Sequence, residues 1–298
     1  MDYKKIIRSR SLRLKILRFF SFIPDKTMLQ IQYIIKMGRR LDLNEPKRFT
    51  EKLQWYKLYY KNQLLIQCVD KYDVRKYIEA KGFQDILIPC YGVFNSFDEI
   101  DWDALPNQFV VKDTLGGGGN AVVIVSNKEG YSIDELKRIT TKWVSKNPHK
   151  KGGGREWPYY SGKRHRIIIE KYIESEKQEG LVDYKFFCFG GKCEFLYVMG
   201  NRKVGQSVSV SIFDRNFNKL PVLRVGDHPF IDAKRPKNYE ELLYVAETLS
   251  KDFPHVRVDL YDINNKIYFG ELTFYNASGY MKYEPDSFDL SVGRKFKL

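Results

Sequence analysis

The chain has 298 residues, enough for one large domain or two tightly associated ones around a substantial core. Its 43% hydrophobic and 30% charged residues are ordinary for a globular protein, and 21 Tyr with 20 Phe predict an aromatic core and Tyr-rich sheets. A formal charge of +14 and an isoelectric point near 9.4 call for an anionic partner such as nucleotide phosphates, an acidic glycan or an anionic membrane surface; nucleic acid is not expected, because no zinc-finger spacing, RNP-like strand or helix-turn-helix signature is present. Cys68, Cys90, Cys188 and Cys193 form no CxxC pair and the four histidines no paired spacing, so structural zinc is not expected and free buried thiols are. Free thiols suit a reducing cytosol, and no apolar run has the length of a membrane span, so the expected location is cytoplasmic.

Residues 3–23 read as a basic amphipathic helix. Leu12, Ile16, Phe19, Phe20 and Ile23 recur at helical spacing among Lys4, Lys5, Arg8, Arg10, Arg13, Lys15 and Arg18, and Pro24 stops it. Such a helix packs on its own protein or docks peripherally on the inner face of an anionic membrane, and the sequence leaves both open. The charges that interrupt its apolar run argue against a secretory signal. Helical patterning continues to about residue 68, with Pro46 opening EKLQWYKLYYKNQLL, and residues 70–81 predict another helix. Residues 108–112 (QFVVK) form a short apolar strand, and a Gly-rich loop joins it to NAVVIVSN as a hairpin. A helix follows over 132–146, then a basic, Gly-rich and Pro-containing stretch over 147–165, long enough to be functional or disordered. RIIIEKYI, DYKFFCFGGKCEFLYVMGNR and SVSVSIFD read as strands, YEELLYVAETLSKDF as a helix, and HVRVDLYDINN and KIYFGELTFYN as two closing strands. This order predicts two α+β halves with mainly antiparallel sheets.

Three groups of residues carry chemistry. In FVVKDTLGGGGNAVVIV, Lys112 ends a strand and Gly116, Gly117, Gly118 and Gly119 follow, so that backbone N–H groups beside a lysine can approach phosphate oxygens; a plain flexible hairpin reads equally well. The spacing is neither a Walker loop nor a dinucleotide fingerprint. Asp259 and Glu271 lie within two apolar strands, with Arg257 and Asp259 on one face by alternation. Acids in that setting are costly unless paired or bound to metal, so a Mg²⁺ site and a structural Arg257–Asp259–Glu271 network both remain open. Glu170 ends an apolar strand before Lys171, Tyr172 and Ile173, while Asp183 and Lys185 open the next strand.

Taken together and in this order, these elements resemble the ATP-grasp superfamily over about residues 70–298. The resemblance implies ATP and Mg²⁺ bound between two α+β subdomains, residues 69–169 and 170–298, preceded by a helical segment over 1–68. It implies Lys71 and Lys112 as phosphate lysines, Gly116 to Gly119 as a flap over the phosphates, and Glu170, Lys171, Tyr172 and Ile173 as the adenine hinge. Glu176 or Asp183 would hold the ribose, Lys185 would face the transferred phosphate, and Arg257 would stabilise the charge that develops on it. Asp259 and Glu271 correspond to the metal ligands. The family often reads Glu-x-Asn at that strand; here it is Glu271-Leu272-Thr273, which leaves the third ligand open between the Thr273 hydroxyl and nearby Asn276.

Within the superfamily, EPKRFTEKLQWYKLY, DYKFFCFGGK, VRVDLY and FGELTFYNASG resemble the TupA-like branch, associated with teichuronopeptide and capsular polysaccharide biosynthesis. The implied activity is ATP-dependent carboxylate–amine ligation through an acyl phosphate, joining a uronic acid of a surface polysaccharide or its precursor to an amino acid. Phosphorylation of a glycan hydroxyl and ATP-independent glycosyl transfer are the alternatives. Arg155, Lys163, Arg164 and Arg202 are candidate contacts to an acidic glycan, and the 147–165 stretch is the expected mobile lid.

Overall fold

The computed structural model describes residue 9 and residues 19–117, 121–174, 181–200, 209–230 and 233–298. Most of the expected basic helix over 3–23 therefore lies outside the described residues; its last part forms a single 3-10 turn, Phe20–Phe22. The helical patterning to residue 68 resolves into three helices. After Pro24 comes α1 (Asp25–Met37), closed by Gly38 at φ 75°, a left-handed position that suits glycine. Its Leu29, Tyr33 and Met37 pack with Leu41 and Leu43. The second helix, α2 (Phe49–Tyr59), starts three residues after Pro46, because Glu51 turns back to accept from the N–H groups of Lys47 and Arg48 at 2.9 and 3.0 Å. It stops at Tyr59, so α3 (Gln63–Cys68) is a separate element.

Two compact units divide the chain. The smaller comprises residues 63–150 and 158–175. In it, α3 and α4 (Val74–Ala80) accompany an antiparallel sheet of β1 (Cys90–Phe94), β2 (Phe109–Asp113), β3 (Val122–Val125) and β4 (Ile167–Lys171), in the order β1-β4-β2-β3. The expected hairpin is β2–β3, with Phe109 opposite Val125 and Lys112 opposite Val122. Ser132 caps α5 (Ile133–Val144), its hydroxyl accepting from the Glu135 N–H at 3.2 Å. Leu136 and Trp143 of α5 join Phe109, Val111, Ile167 and Ile169 in one core. Strand alternation then turns Val110, Lys112, Ile168 and Glu170 to the opposite face of the sheet.

The larger unit takes in residues 1–62, 151–157 and 176–298. Its antiparallel sheet is formed by β5 (Asp183–Phe189), β6 (Lys192–Gly200), β7 (Ser209–Asp214), β9 (His255–Ile263) and β10 (Lys266–Thr273), in the order β10-β9-β5-β6-β7. A two-stranded ribbon pairs β8 (Leu223–Arg224) with β11 (Tyr283–Glu284). One sheet face receives α6 (Tyr239–Ser250), where Phe186 meets Tyr239 at 6.2 Å between ring centroids. On the other face Phe187, Phe189 and His255 pack around Phe49 of α2 and Phe296. Along β5 that face runs from Phe189 and Phe187 to Lys185 and Asp183, so aromatic packing gives way to charge at one end of the strand.

The sequence reading did not foresee α7 (Ser287–Lys295). Its Ser, Asp and Gly content is poor for helix, and tertiary contacts supply what propensity lacks. Asp289 accepts from the Thr50 N–H and hydroxyl at 3.0 and 2.7 Å. At Gly293 a Cβ would lie 2.1 Å from the Lys47 carbonyl oxygen, so only glycine permits this crossing with the start of α2.

Candidate active site

In the smaller unit, cations gather around the β2–β3 connection. Lys112 donates to Glu170 Oε2 at 2.6 Å, and Arg75 stands 3.7 Å from the other oxygen of that carboxylate. Lys71 donates its side chain to the Gly116 carbonyl and its backbone N–H to the Thr114 carbonyl, the latter at 2.9 Å. Gly116 has no room for a side chain, since a Cβ would come within 2.4 Å of that of Ala121. The loop is anchored by Asp113, a group the sequence reading passed over. Its carboxylate meets His165 Nδ1 at 2.7 Å and accepts from Lys146 Nζ at 2.6 Å and the Leu115 N–H at 3.1 Å. Burial pushes the Asp113 carboxyl up, but the hydrogen bonds from His165 and Lys146 outweigh it and hold the group below its ordinary value. At the expected hinge, the Lys171 N–H donates to the Pro89 carbonyl at 2.9 Å, and Tyr172 and Ile173 follow half-buried beyond β4. Gly118, Gly119, Glu176 and Arg202 lie outside the described residues.

In the larger unit, sheet register assembles residues far apart in sequence. Glu271 of β10 pairs with Asp259 of β9, Asp259 with Lys185 of β5, and Thr273 with Arg257. A bulge between Phe269 and Glu271 makes this row. Were the pairing to run on from Phe269–Leu260 with no bulge, Gly270 would fall opposite Asp259 and Glu271 opposite Val258, facing the apolar side. Gly270 is the one signal of this in the sequence. A Cβ there would lie 3.0 Å from the Asp259 carbonyl oxygen.

The side chains form a continuous network. Arg257 donates Nε to Asp259 Oδ1 and Nη2 to Asp259 Oδ2, each at 2.6 Å, while Nη2 also reaches Glu271 Oε1 at 3.0 Å and Thr273 Oγ1 at 2.9 Å. Its Nη1 donates to the Asn276 side-chain oxygen. Lys185 donates to Asp259 and stands 3.5 Å from buried Asp183. Burial pushes the Asp259 carboxyl above its ordinary value, against the pull of Arg257 and Lys185. Burial would lower the Arg257 pKa, but Asp259, Glu271 and Asp183 more than offset this and raise it. Two cations thus face three carboxylates.

The Glu271 side chain is 43% exposed against 1% for Asp259, so the network opens to solvent at Glu271. Hard carboxylate oxygens, a hydroxyl and a site open at one end fit Mg²⁺, which binds through one or two carboxylates together with phosphate oxygens. Among the described residues no group of three or more His, Cys, Asp and Glu side chains is placed to hold a metal ion.

The proposed glycan contacts fare differently from one another. Arg155 is 2% exposed and donates to the Ser21 and Phe20 carbonyls and to Asp25. Lys163 donates to Asp73 and to the Ile66 carbonyl, whereas Arg164 is exposed.

No curated protein matches the chain. Among solved structures, it is similar to D-alanine–D-alanine ligase from Bacillus anthracis at 21% identity, covering 70% of this chain and 57% of that one with a TM-score of 0.41. The same enzyme from Helicobacter pylori gives 16% identity, coverage of 84% and 70%, and a TM-score of 0.44. An L-amino acid ligase from Bacillus licheniformis gives 14% identity, coverage of 87% and 55%, and a TM-score of 0.44. The chain thus spans little more than half the length of the Bacillus anthracis ligase. The model of the TupA-like ATP-grasp family matches residues 51–297, and the chain belongs to that family.

Proposed function

We propose that the chain is an ATP-dependent carboxylate–amine ligase that works through an acyl phosphate, amidating a uronic acid of a surface polysaccharide or its precursor with an amino acid. The observation that carries the reading is the row Lys185–Asp259–Glu271 with Arg257 bridging its carboxylates. Lys71 and Lys112 offset phosphate charge in the smaller unit, with Gly116 and Gly117 supplying close backbone approach. Glu170, Lys171, Tyr172 and Ile173 take the base, and Asp183 is the described candidate for the ribose. Asp259 and Glu271, with the Thr273 hydroxyl, would hold Mg²⁺, which when bound offsets phosphate charge and polarises the transferred group.

The substrate carboxylate attacks the γ-phosphorus of ATP, releasing ADP and giving a mixed anhydride; the amine then attacks the carbonyl carbon and phosphate leaves with the bridging oxygen. Arg257 and Lys185 are fixed before reaction, so they stabilise the charge that develops in transfer with little reorganisation. The charge of +14 and exposed Arg164 favour an acidic glycan.

The basic run over 3–23 is proposed to touch an anionic membrane surface from the cytoplasmic side, and Phe19 and Phe22, each 74% exposed, extend its apolar residues. No helix among the described residues is long and apolar enough to cross a membrane.

A screen of uronic acids against amino acids tests the reading. The ligase gives ADP, phosphate and an amide mass. ADP with a phosphorylated sugar marks a kinase, and product without ATP consumption marks a glycosyltransferase.

A further inference from the structure

Two of the phrases that carry the family resemblance, EPKRFTEKLQWYKLY and FGELTFYNASG, meet in the structure, and the mechanism above uses neither Gln54 nor Lys57 from the first. We infer that Gln54 and Lys57 of α2 are positioning residues for Arg257, acting through the turn Asn276–Gly279; the part this plays in catalysis rests on the ligase reading. The turn holds Ala277 at φ 46°, Ser278 at φ 53° and Gly279 at φ 69°. L residues avoid the left-handed region, and two in succession persist only where their surroundings fix them.

The fixing comes from α2. Gln54 Nε2 donates to the carbonyls of Ser278 and Gly279 at 3.1 and 2.9 Å. Lys57 Nζ donates to the Ser278 carbonyl at 2.7 Å and to Gln54 Oε1 at 3.0 Å, with its ammonium 4.9 Å from the Tyr280 ring centroid. A Cβ on Gly279 would come within 2.4 Å of Gln54 Nε2, so the approach itself requires glycine. Lys57 is 1% exposed, an unfavourable place for an ammonium unless its hydrogens are engaged. Burial pulls its pKa down to about 7, opposed by Glu156. At the start of the same turn, Asn276 is 2% exposed and its side-chain oxygen accepts from Arg257 Nη1. The guanidinium Nε and Nη2 hold Asp259, Glu271 and Thr273. Helix α2 therefore sets one of the four side chains that aim Arg257.

The test follows the Arg257 Nε–H by arginine-selective NMR in the full chain, with Arg257→Lys supplying the assignment. In the wild type this buried donor exchanges slowly with solvent. Lys57→Met and Gln54→Met should each speed exchange by about tenfold or more. Gln54→Met carries the same readout should Lys57→Met fail to fold. If α2 merely anchors the unit, melting temperatures drop while Arg257 exchange stays at the wild-type rate in both variants, and the inference is overturned.

Kinetics give the second arm. Lys57→Met should lower kcat about tenfold with the KM for ATP within about twofold, and should cost less than about threefold when added to Asn276→Ala. Fully multiplicative losses would contradict action through Asn276. A wild-type protein that turns over no acid–amine pair removes the ligase reading, while the exchange measurement still decides the positioning claim.

Discussion

Lys112 and Asp259 both project from antiparallel strands, yet they sit in opposite electrostatic settings. Lys112 is 22% exposed at the side chain and has one close carboxylate partner, Glu170. Asp259 is 1% exposed and both its oxygens are held by two cations, within a network that also includes Glu271, Thr273 and Asn276. A lysine that is partly open to solvent and held by one carboxylate can exchange partners more easily than one fixed on every side, which is what the proposed phosphate contact requires. A buried network resists change because breaking one member leaves the others desolvated and unpaired. On the proposed reading, ligand capture and fixed geometry fall to different units of the chain.

The largest expected effect separates the two carboxylates of the network. Asp259→Asn and Glu271→Gln should each lower ligase turnover by about 100-fold or more. Only Asp259→Asn should also destabilise the fold, by about 3 kcal/mol in urea unfolding, because Arg257 and Lys185 lose their shared buried counter-charge. Glu271, 43% exposed, should leave the urea midpoint nearly unchanged. Equal destabilisation by both variants would contradict the electrostatic asymmetry.

A smaller effect is expected at Lys112. Lys112→Ala should weaken binding of a non-hydrolysable ATP analogue about tenfold in calorimetry, the loss of one charge-assisted contact. An unchanged affinity would return the Gly-rich hairpin to a structural role.

The pH dependence of stability bears on the same contrast. His255 is buried on the face that carries the network, and burial first, then Arg257, pulls its pKa from 6.5 down to about 3, against a hydrogen bond with the Cys188 carbonyl. The unfolded chain therefore binds the extra proton between about pH 6.5 and 3, so this contribution is complete above 6.5 and is lost on acidification, at a limiting slope of about 1.4 kcal/mol per pH unit. His255→Phe should flatten urea stability between pH 6.5 and 5 relative to wild type. An identical slope in the variant would place the titrating group elsewhere.

Much of this was legible in the sequence where the signal is local. Lys112 followed by glycines in the β2–β3 hairpin, the strand character of DYKFFCFGGKCEFLYVMGNR, and Arg257 with Asp259 on one face all follow from period-2 alternation and turn residues. Long-range features were not. Plain alternation along KIYFGELT would set Glu271 and Thr273 with Ile267 and Phe269, and only the bulge at Gly270 turns them to Asp259. Helix α7 forms through Asp289 and Gly293 against α2, which no local propensity shows. Arg155 reads from the sequence as a candidate glycan contact on a Gly-rich stretch, but its partners Phe20, Ser21 and Asp25 lie more than a hundred residues away.

The smallest expected effect follows from that last point. In brief trypsin digestion, cleavage within 147–165 should occur after exposed Arg164 before buried Arg155, as peptide masses report. First cleavage after Arg155 would contradict its place beside Asp25.

The most direct measurement on the ligase mechanism uses a turned-over uronic acid labelled with ¹⁸O in both carboxylate oxygens. Attack by the carboxylate on the γ-phosphorus, followed by amine attack at the carbonyl carbon, transfers one ¹⁸O into the released phosphate and leaves the other in the amide. Mass spectrometry should therefore find singly labelled phosphate in step with amide. Unlabelled phosphate, or both labels retained on the sugar, would contradict an acyl phosphate and with it the carboxylate–amine ligase account.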